Sequence, residues 1–174
     1  MEIEHFDLEK TFRLLDGPIK SFVGQFISMP LGSFAGLSIE QVDASKCIVT
    51  LPGGWRTQNP FKSTYWAAQG MAAEMASGVI PMAYVRAAGV PIRMILAGVS
   101  GRFVKMCKGP STFTCYVEDH VKEAMRETLM SGRSVGCNLT SIGHDSTGDT
   151  VSEWSFSWSF RARLEEVSSS HPTL

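Results

Sequence analysis

The sequence predicts an α+β fold in which a curved antiparallel sheet wraps around one long central helix. Six segments alternate apolar and polar residues, and most are joined by short turns, a pattern typical of antiparallel strands. Residues 63–85 carry a single charge, Glu74, and are rich in alanine and glycine, which predicts a helix buried nearly all round. The last strand has an aromatic residue at every second position, so that face needs a bulky cover, which the helix supplies. These aromatic residues are Trp154, Phe156, Trp158 and Phe160.

Composition excludes several classes of protein. The chain has 174 residues, of which 44% are hydrophobic and 19% charged, and its net charge is −1. This much apolar material excludes a disordered chain, and the balanced charge argues against a nucleic-acid binder. Soluble proteins average about 25% charged residues, so we expect part of the surface to be covered by other subunits. No stretch has the length and flanks of a membrane span, and residues 1–9 are acidic without an apolar signal core, so we expect a cytoplasmic protein.

The four cysteines and four histidines are widely scattered, and their spacing matches no zinc or redox motif. We therefore expect no metal, no bound cofactor and free cytosolic thiols. Cys115 and Cys137 fall in alternating segments, so we expect them to fill the core as small apolar side chains.

Three parts of the chain differ in character. In residues 1–29, apolar side chains, Leu8 and Phe12 among them, follow a helical spacing that a Gly-Pro pair interrupts. This predicts a helical segment with one face packed on the fold. Residues 30–167 contain all the strand patterns and form the predicted main domain. Residues 168–174 are polar and are expected to form a flexible tail.

Local signals set the predicted bounds of the elements. Ser63 is a candidate N-cap for the central helix, and Pro81 is expected to kink or end it. Gly98 and Gly101 are expected to mark a bulge or bend in the long strand that follows. The predicted elements are, in order, strands 34–42 and 46–51, a helix regular over 63–80, strands 92–107 and 111–118, a helix over 118–130, and strands 133–143 and 150–162.

The segment leading into the central helix resembles that of a known superfamily. Residues 59–63 (NPFKS) run into residues 67–78 (AAQGMAAEMASG), and the long strand after Pro91 and the final hairpin fit the same pattern. In these motifs the chain resembles the hotdog-fold acyl-thioester enzymes. It is most similar to a bacterial branch of unknown function related to the phenylacetate-pathway and hydroxybenzoyl-CoA thioesterases.

The resemblance implies a hotdog fold and a homodimer whose two sheets join edge to edge, often paired into a tetramer. It implies active sites at the dimer interface and an acyl-CoA or acyl-carrier-protein substrate. It implies no metal, and CoA would enter only as part of the substrate. The expected partners are thus a small-molecule thioester and further copies of the chain, with no nucleic acid and no membrane span.

Glu74 is the residue best suited to catalysis. With 100° between residues of a helix, Ser63, Ala67, Gly70 and Gly78 lie within about 40° of it, which leaves a lone carboxylate in a stripe of small residues. We expect a slender acyl chain to bind in this groove. As a base the carboxylate would activate water against a thioester carbonyl, and as a nucleophile it would form an anhydride. The alternative is a structural glutamate that accepts loop N–H groups or pairs with an arginine across the dimer. The opposite face of the helix, which is expected to pack on the sheet, contains Tyr65, Ala72, Val79 and Ala83.

A thioester oxyanion needs N–H donors. In the superfamily that the chain resembles, they come from the main chain near the start of the central helix, here Ser63 to Trp66, where free N–H groups and the helix dipole favour negative charge. Asn59 or Gln69 would add a side-chain donor. Asn59 precedes a proline, however, and Asn-Pro is equally a turn signal. Gln69 lies about 140° from Glu74 around the helix.

The chain departs from the superfamily pattern before the helix acid. Many phenylacetate-type thioesterases carry His-Gly-Gly there, whereas residues 65–68 read Tyr-Trp-Ala-Ala. No histidine lies in or near the helix sequence, which argues against the activity of the dehydratase relatives. Two alternatives to a thioesterase therefore stay open: a non-catalytic domain that binds an acyl chain or acyl-CoA, and a purely structural self-associating domain.

The phosphates of CoA need lysine or arginine at the mouth of a pocket. Each candidate is also expected as ordinary solvated surface charge. The candidates are Arg56, Lys62, Arg102, Lys105 and Lys108.

Overall fold

The structure, a computed structural model, describes Leu8, Phe12 and residues 29–117 and 119–163. Its elements are α1 (Pro30–Ala35), β1 (Ser38–Val42), β2 (Lys46–Leu51), α2 (Trp66–Ala87), β3 (Ile92–Phe103), β4 (Ser111–Tyr116), α3 (His120–Ser131), β5 (Ser134–Asp145) and β6 (Thr150–Ala162).

The strands form one antiparallel sheet in the order β1-β2-β4-β5-β6-β3. The sheet curves around α2, which packs against β2, β4 and β5 and also contacts β3 and β6. The predicted class, an α+β fold with a curved antiparallel sheet around one central helix, is confirmed.

The central helix is surrounded on most sides. Ala72, Ala73 and Ala76 are completely buried, and their small side chains let the sheet approach the helix closely. The four aromatic residues of β6 are all buried against it, as predicted. Burial of side chains as large as Phe156 and Phe160 contributes about 1.5–3 kcal/mol each.

The central helix differs from its predicted bounds at both ends. Its N-cap residue is Tyr65 rather than Ser63, and no side chain caps the first turn. The helix also runs through Pro81 to Ala87 instead of ending near residue 80. A proline inside a helix removes one hydrogen bond and costs about 3 kcal/mol. The helix continues because the turns on both sides of Pro81 are buried against the sheet.

The first predicted strand is shorter than expected. Residues 34 and 35 belong to α1 and not to β1. Pro30 favours the start of a helix because its φ is already helical, and Gly36 ends α1 in the left-handed region at a φ of 82°. The chain enters β1 only at Ser38.

Strand β3 ends at Phe103, earlier than predicted. Its pairing with β6 shifts between Leu96 and Gly98, so the predicted bulge lies at the first of the two glycines. Gly101 keeps regular pairing, and its role is different: a Cβ there would lie 2.8 Å from the indole ring of Trp154. The absence of a side chain at Gly101 makes room for that ring.

The two edges of the sheet are unlike each other. Strand β1 is 5 residues long, bulged and polar, with Glu40 and Gln41 exposed, features that protect a sheet edge from further pairing. Strand β3 is 12 residues long and exposes Ile95, Val99 and Phe103. No described strand pairs with its outer side. The apolar, unpaired edge of the molecule is therefore β3.

Of the N-terminal segment, the structure describes Leu8 and Phe12. Both are helical; Phe12 is buried in the core and Leu8 packs against it. The rest of segment 1–29 and the predicted tail 168–174 lie outside the described residues, so the predicted domain bounds stay predictions. Within the described part of the chain, no helix combines the length and apolar character that a membrane crossing needs.

Candidate active site

Glu74 lies in the third turn of α2 and is half-buried. Burial raises the pKa of its carboxyl group, because the charged form loses contact with water. Among the described residues, its carboxylate has no hydrogen-bond or ion-pair partner, while its main-chain carbonyl accepts from Ser77. Within one chain, the described loops do not provide the N–H donors of a structural glutamate.

The face of α2 around Glu74 is occupied by two tryptophans of β6. A Cβ at Gly70 would lie 3.2 Å from the ring of Trp154, and one at Gly78 would lie 3.1 Å from the ring of Trp158. The two glycines thus make room for indole rings. The prediction of an acyl groove at Gly70 and Gly78 therefore needs correction. Within one chain, the two indole rings fill that space.

Trp158 is held beside Glu74 by a buried hydrogen bond. Its indole Nε1–H donates to Ser77 Oγ over 3.2 Å, and this hydroxyl donates to the main-chain oxygen of Glu74 over 3.0 Å. Glu74 Oε1 lies 3.8 Å from the position of a Cβ at Gly78. The carboxylate therefore points toward the C-terminal half of α2, next to the indole.

Gln69 belongs to a second buried set of hydrogen bonds. The Trp154 indole donates to Ser152 Oγ, which donates to Gln69 Oε1, both over 2.9 Å. Gln69 Nε2 donates to the main-chain oxygen of Thr64 over 3.2 Å. Both ends of the Gln69 amide are engaged in holding Trp154 and the start of α2. Its predicted role as an oxyanion donor is corrected to a structural one.

Asn59 closes the turn that precedes α2. Its Oδ1 accepts from the main-chain N–H groups of Phe61 and Ser63 over 2.9 and 3.2 Å, and its Nδ2 donates to Ser63 Oγ over 2.9 Å. Lys62, at the tip of this turn, has a φ of 61°. Of the two alternatives for Asn59, the turn residue is the one that the contacts support.

A cleft of about 540 Å³ opens between this turn, the start of α2 and the end of β3. Asn59 and Ser63, both predicted to bind substrate, line its polar side. The rest of its wall is largely apolar and exposed. The apolar side chains are Phe61, Tyr65, Trp66, Phe103, Val104 and Met106.

The start of α2 offers free main-chain donors to this cleft. Tyr65 N–H donates to Thr57 over 2.7 Å, which fixes the first turn, and the N–H groups of Trp66 and Ala67 have no acceptor among the described residues. The predicted donor zone, Ser63 to Trp66, lines the cleft, but within it only the N–H group of Trp66 is free, because those of Ser63 and Thr64 donate to Asn59 Oδ1 and to the main-chain oxygen of Cys107. Glu74 comes eight positions after Trp66, which is about 12 Å along the helix axis. On the face of α2 opposite Glu74, Ala72, Val79 and Ala83 are buried as predicted, whereas Tyr65 is exposed.

Two candidate phosphate ligands are neutralised by ion pairs. Arg102 pairs with Glu153 at 2.7 Å, and Lys105 bridges Asp145 and Asp149 at 2.8 and 2.6 Å. Of the other candidates, Arg56 lies over the ring of Trp55, and Lys62 and Lys108 are exposed. Among the described residues, no three His, Cys, Asp or Glu side chains are placed to hold a metal ion.

A family model described as "Domain of unknown function (DUF4442)" matches residues 22–159. The chain belongs to this family. No curated protein matches this DUF4442 member.

Several solved structures share its architecture. PA5026 from Pseudomonas aeruginosa, described as a protein of unknown function and probable thioesterase, is 18% identical, with a TM-score of 0.65 over 89% of this chain and 96% of that one. OLEI01261 from Chlorobaculum tepidum, of unknown function, is 13% identical, with a TM-score of 0.72 over 84% and 97%. PaaI from the phenylacetic acid degradation operon of E. coli is 13% identical, with a TM-score of 0.58 over 82% and 89%. At these identities the likeness shows the fold: this DUF4442 protein has the thioesterase-like hotdog fold.

The sequence pattern does not predict the exposed aromatic side chains of the cleft. The pattern places Tyr65 and Trp66 at the start of the central helix, where only their main-chain N–H groups have a predicted role, and Phe61 in the motif that precedes it. A run of aromatic residues in a proline-containing loop before a buried helix was the available signal, since such a loop must lie at the surface.

Proposed function

We propose that this protein hydrolyses an acyl thioester of CoA or of an acyl carrier protein, with Glu74 as general base or nucleophile at an interface between two copies. The observation that carries the proposal is the half-buried carboxylate of Glu74, which has no partner among the described residues, in a fold shared with thioesterases. Its raised pKa suits the role, because a general base works best when its pKa approaches the working pH. The buried free cysteines fit the cytoplasmic setting predicted from the sequence.

The chemistry needs protein groups and water only. As a base, Glu74 takes one proton from a water molecule while the water oxygen bonds to the thioester carbonyl carbon. The carbon–sulfur bond then breaks, and the thiolate takes the proton from Glu74, which leaves a carboxylic acid and a thiol. As a nucleophile, Glu74 displaces the thiolate to form an anhydride, which water then opens.

This scheme needs a second copy, because one chain holds Glu74 and the free N–H groups at the start of α2 too far apart to act together. The free N–H groups of Trp66 and Ala67 lie about 10–12 Å along the axis from Glu74, whose carboxylate points the other way, toward Gly78. Oxyanion donors must lie about 3 Å from the reacting oxygen. We infer that Glu74 of one copy acts with the helix start of another.

Strand β3 is the proposed joining edge. Its 12 residues leave main-chain groups unpaired on one side, and Ile95, Val99 and Phe103 are 60%, 57% and 51% exposed. Phe103 also lines the cleft at the start of α2. Pairing two β3 edges would cover this apolar surface and bring each cleft toward the other copy. The resulting homodimer fits the low charge content of the chain.

A non-catalytic acyl-binding domain is the second candidate. It is favoured by the filled glycine stripe, because the indole rings of Trp154 and Trp158 occupy space that an acyl chain would need. In that case the apolar cleft would bind the acyl chain without turnover, and Glu74 would pair with a cation of another copy.

One experiment separates the two candidates. Thiol release is followed with a panel of short, long and aromatic acyl-CoA and acyl-carrier-protein thioesters, on the wild type and on Glu74→Gln. We expect Glu74→Gln to lower kcat about 100-fold or more, the usual contribution of a general base, with an unchanged far-UV circular dichroism spectrum. Glu40→Gln, an exposed glutamate of β1, is the matched control and should keep full activity. Saturable binding of acyl-CoA without thiol release in any member of the panel would favour the binding domain.

A further inference from the structure

Three arginines line a second concavity, at the end of the sheet where β3 begins and β6 ends. Arg93, Arg161 and Arg163 surround a depression of about 370 Å³, whose remaining wall comes from Gly132 and Ala162. We call these three side chains the arginine cluster. It lies outside the set of cations that the sequence suggested for phosphate binding.

The cluster places like charges directly opposite each other. Arg93 and Arg161 are register partners across the β3–β6 ladder, an arrangement that destabilises a sheet because the two charges repel. At the other end of the same ladder the partner of Arg102 is Glu153, and the two form an ion pair at 2.7 Å. The same two strands therefore neutralise one arginine and leave two others facing each other.

Nothing in the described part of the chain neutralises the cluster. Its arginines form no ion pair with a described carboxylate, while the described ion pairs involve Arg102 and Lys105. The main chain keeps the third arginine in place, because Arg163 N–H donates to the carbonyl oxygen of Pro91 over 2.9 Å. The three side chains thus start from a fixed backbone and share one concave surface.

We propose that the arginine cluster is a binding site for a phosphorylated small molecule, which it holds through a pyrophosphate or two phosphate-ester groups. The planar guanidinium group binds phosphate oxygens through two parallel hydrogen bonds. A doubly charged anion between Arg93 and Arg161 would attract both side chains and offset the repulsion between them. A volume of about 370 Å³ is at the lower end of the range of small-molecule sites. The occupant is either the nucleotide end of a thioester carrier or a separate phosphorylated ligand.

The site does not depend on the proposed hydrolysis, so its test measures binding directly. Isothermal titration with inorganic pyrophosphate and with adenosine 3′,5′-bisphosphate is carried out on the wild type, Arg93→Gln and Arg161→Gln. We expect saturable binding to the wild type that weakens with added salt, and about tenfold weaker binding in each variant, the usual effect of one charge-assisted contact. Arg102→Gln is the matched control on the same two strands and should bind like the wild type.

A charge reversal guards against a structural explanation. Arg161→Glu recreates opposite Arg93 the cross-strand pairing that Arg102 and Glu153 show, so this variant should melt no earlier than the wild type and yet lose pyrophosphate binding. No saturable binding to the wild type, or equal binding in Arg161→Glu, would overturn the proposal.

Competition identifies the occupant. If saturating pyrophosphate weakens the binding of CoA to the wild type, the cluster holds the phosphates of the thioester carrier. If CoA binds equally well with and without pyrophosphate, the cluster holds a separate phosphorylated ligand. Glu74→Gln should bind pyrophosphate normally in either case, so a failure of the proposed hydrolysis and a failure of this site give different results.

Discussion

Trp158 donates its indole N–H to Ser77 Oγ over 3.2 Å, and that hydroxyl donates over 3.0 Å to the main-chain carbonyl of Glu74. The bond joins the last strand to the central helix and is buried. It pins the indole in the space left by Gly78, next to the candidate catalytic carboxylate. The shape of the site therefore depends on a polar contact inside an otherwise apolar interface.

This contact predicts a coupling between two positions. Ser77→Ala leaves a buried indole N–H without an acceptor and should lower the free energy of unfolding by about 1–3 kcal/mol. In a Trp158→Phe background no donor remains, so the same substitution should cost less. A double-mutant cycle measured by urea denaturation should give a coupling of about 1 kcal/mol. A coupling of zero would show that the bond does not stabilise the fold.

The fit of Trp158 against the helix also predicts the effect of adding one methyl group. An alanine in an exposed helix is more stable than glycine by about 1 kcal/mol. In Gly78→Ala, however, the new Cβ would lie 3.1 Å from a buried ring, and overpacking of this kind costs about 1–3 kcal/mol. We expect a net loss of about 1 kcal/mol in urea denaturation. Gly98→Ala, whose new Cβ would meet nothing closer than 3.7 Å, is the control and should lose less.

The sequence predicts features that follow from local patterns better than features that depend on contacts between distant segments. The architecture was predictable because period-two alternation in β6 and a nearly uncharged helix are local patterns with one efficient packing. The stripe of Gly70, Glu74 and Gly78 was also predictable, since helical geometry places these residues on one face. The pattern does not predict that indole rings fill this stripe, because they come from a strand that is distant in the sequence.

The packing of the two tryptophans against the two glycines is reflected in the spacing of these residues along the sequence. Gly70 and Gly78 are eight helical residues apart, about 12 Å. Trp154 and Trp158 are four strand residues apart, about 13 Å. Two indoles and two gaps thus match in separation, which sequence alone could have suggested. Hydrogen bonds such as that between Ser152 and Gln69 carry no such trace, because each depends on how the helix rotates against the sheet.

The half-buried carboxyl group of Glu74 predicts how stability changes with pH. Burial raises its pKa in the folded state above that of the unfolded chain. The folded protein then binds more protons than the unfolded one between the two pKa values, so this group's contribution to stability is full below the unfolded pKa and is lost as the pH rises through the folded pKa. Glu74→Gln should therefore be more stable than the wild type at pH 7, and the difference should shrink as the pH falls to 4. Urea denaturation across this range measures it; a difference that grows on acidification would contradict the assignment.

The cysteines of the core are expected to be inert in the folded protein. Burial raises the pKa of Cys47 and of Cys115, which face each other across β2 and β4, to about 12, and that of Cys137 to about 11. At pH 8 these thiols are almost entirely protonated, and the thiolate is the reactive form. A thiol-reactive chromogenic disulfide should react with them slowly in buffer and rapidly in guanidinium chloride. Fast reaction of Cys47 or Cys115 in the native protein would show that the β2–β4 region opens readily.

The contrast between the two sheet edges gives the final prediction. Val99 on β3 is 57% exposed, and a lysine there places a charge where two apolar edges would meet, a change that commonly blocks pairing of sheet edges. We expect the wild type to be a dimer or tetramer by light scattering and Val99→Lys to shift toward the monomer. Gln41→Lys makes the matched change on the exposed β1 edge and should leave the assembly unchanged. Thiol release should fall with the dimer fraction in Val99→Lys, because the scheme needs Glu74 and the helix start from different copies. A wild type that is monomeric at assay concentration and still active would contradict both the joining edge and the shared site.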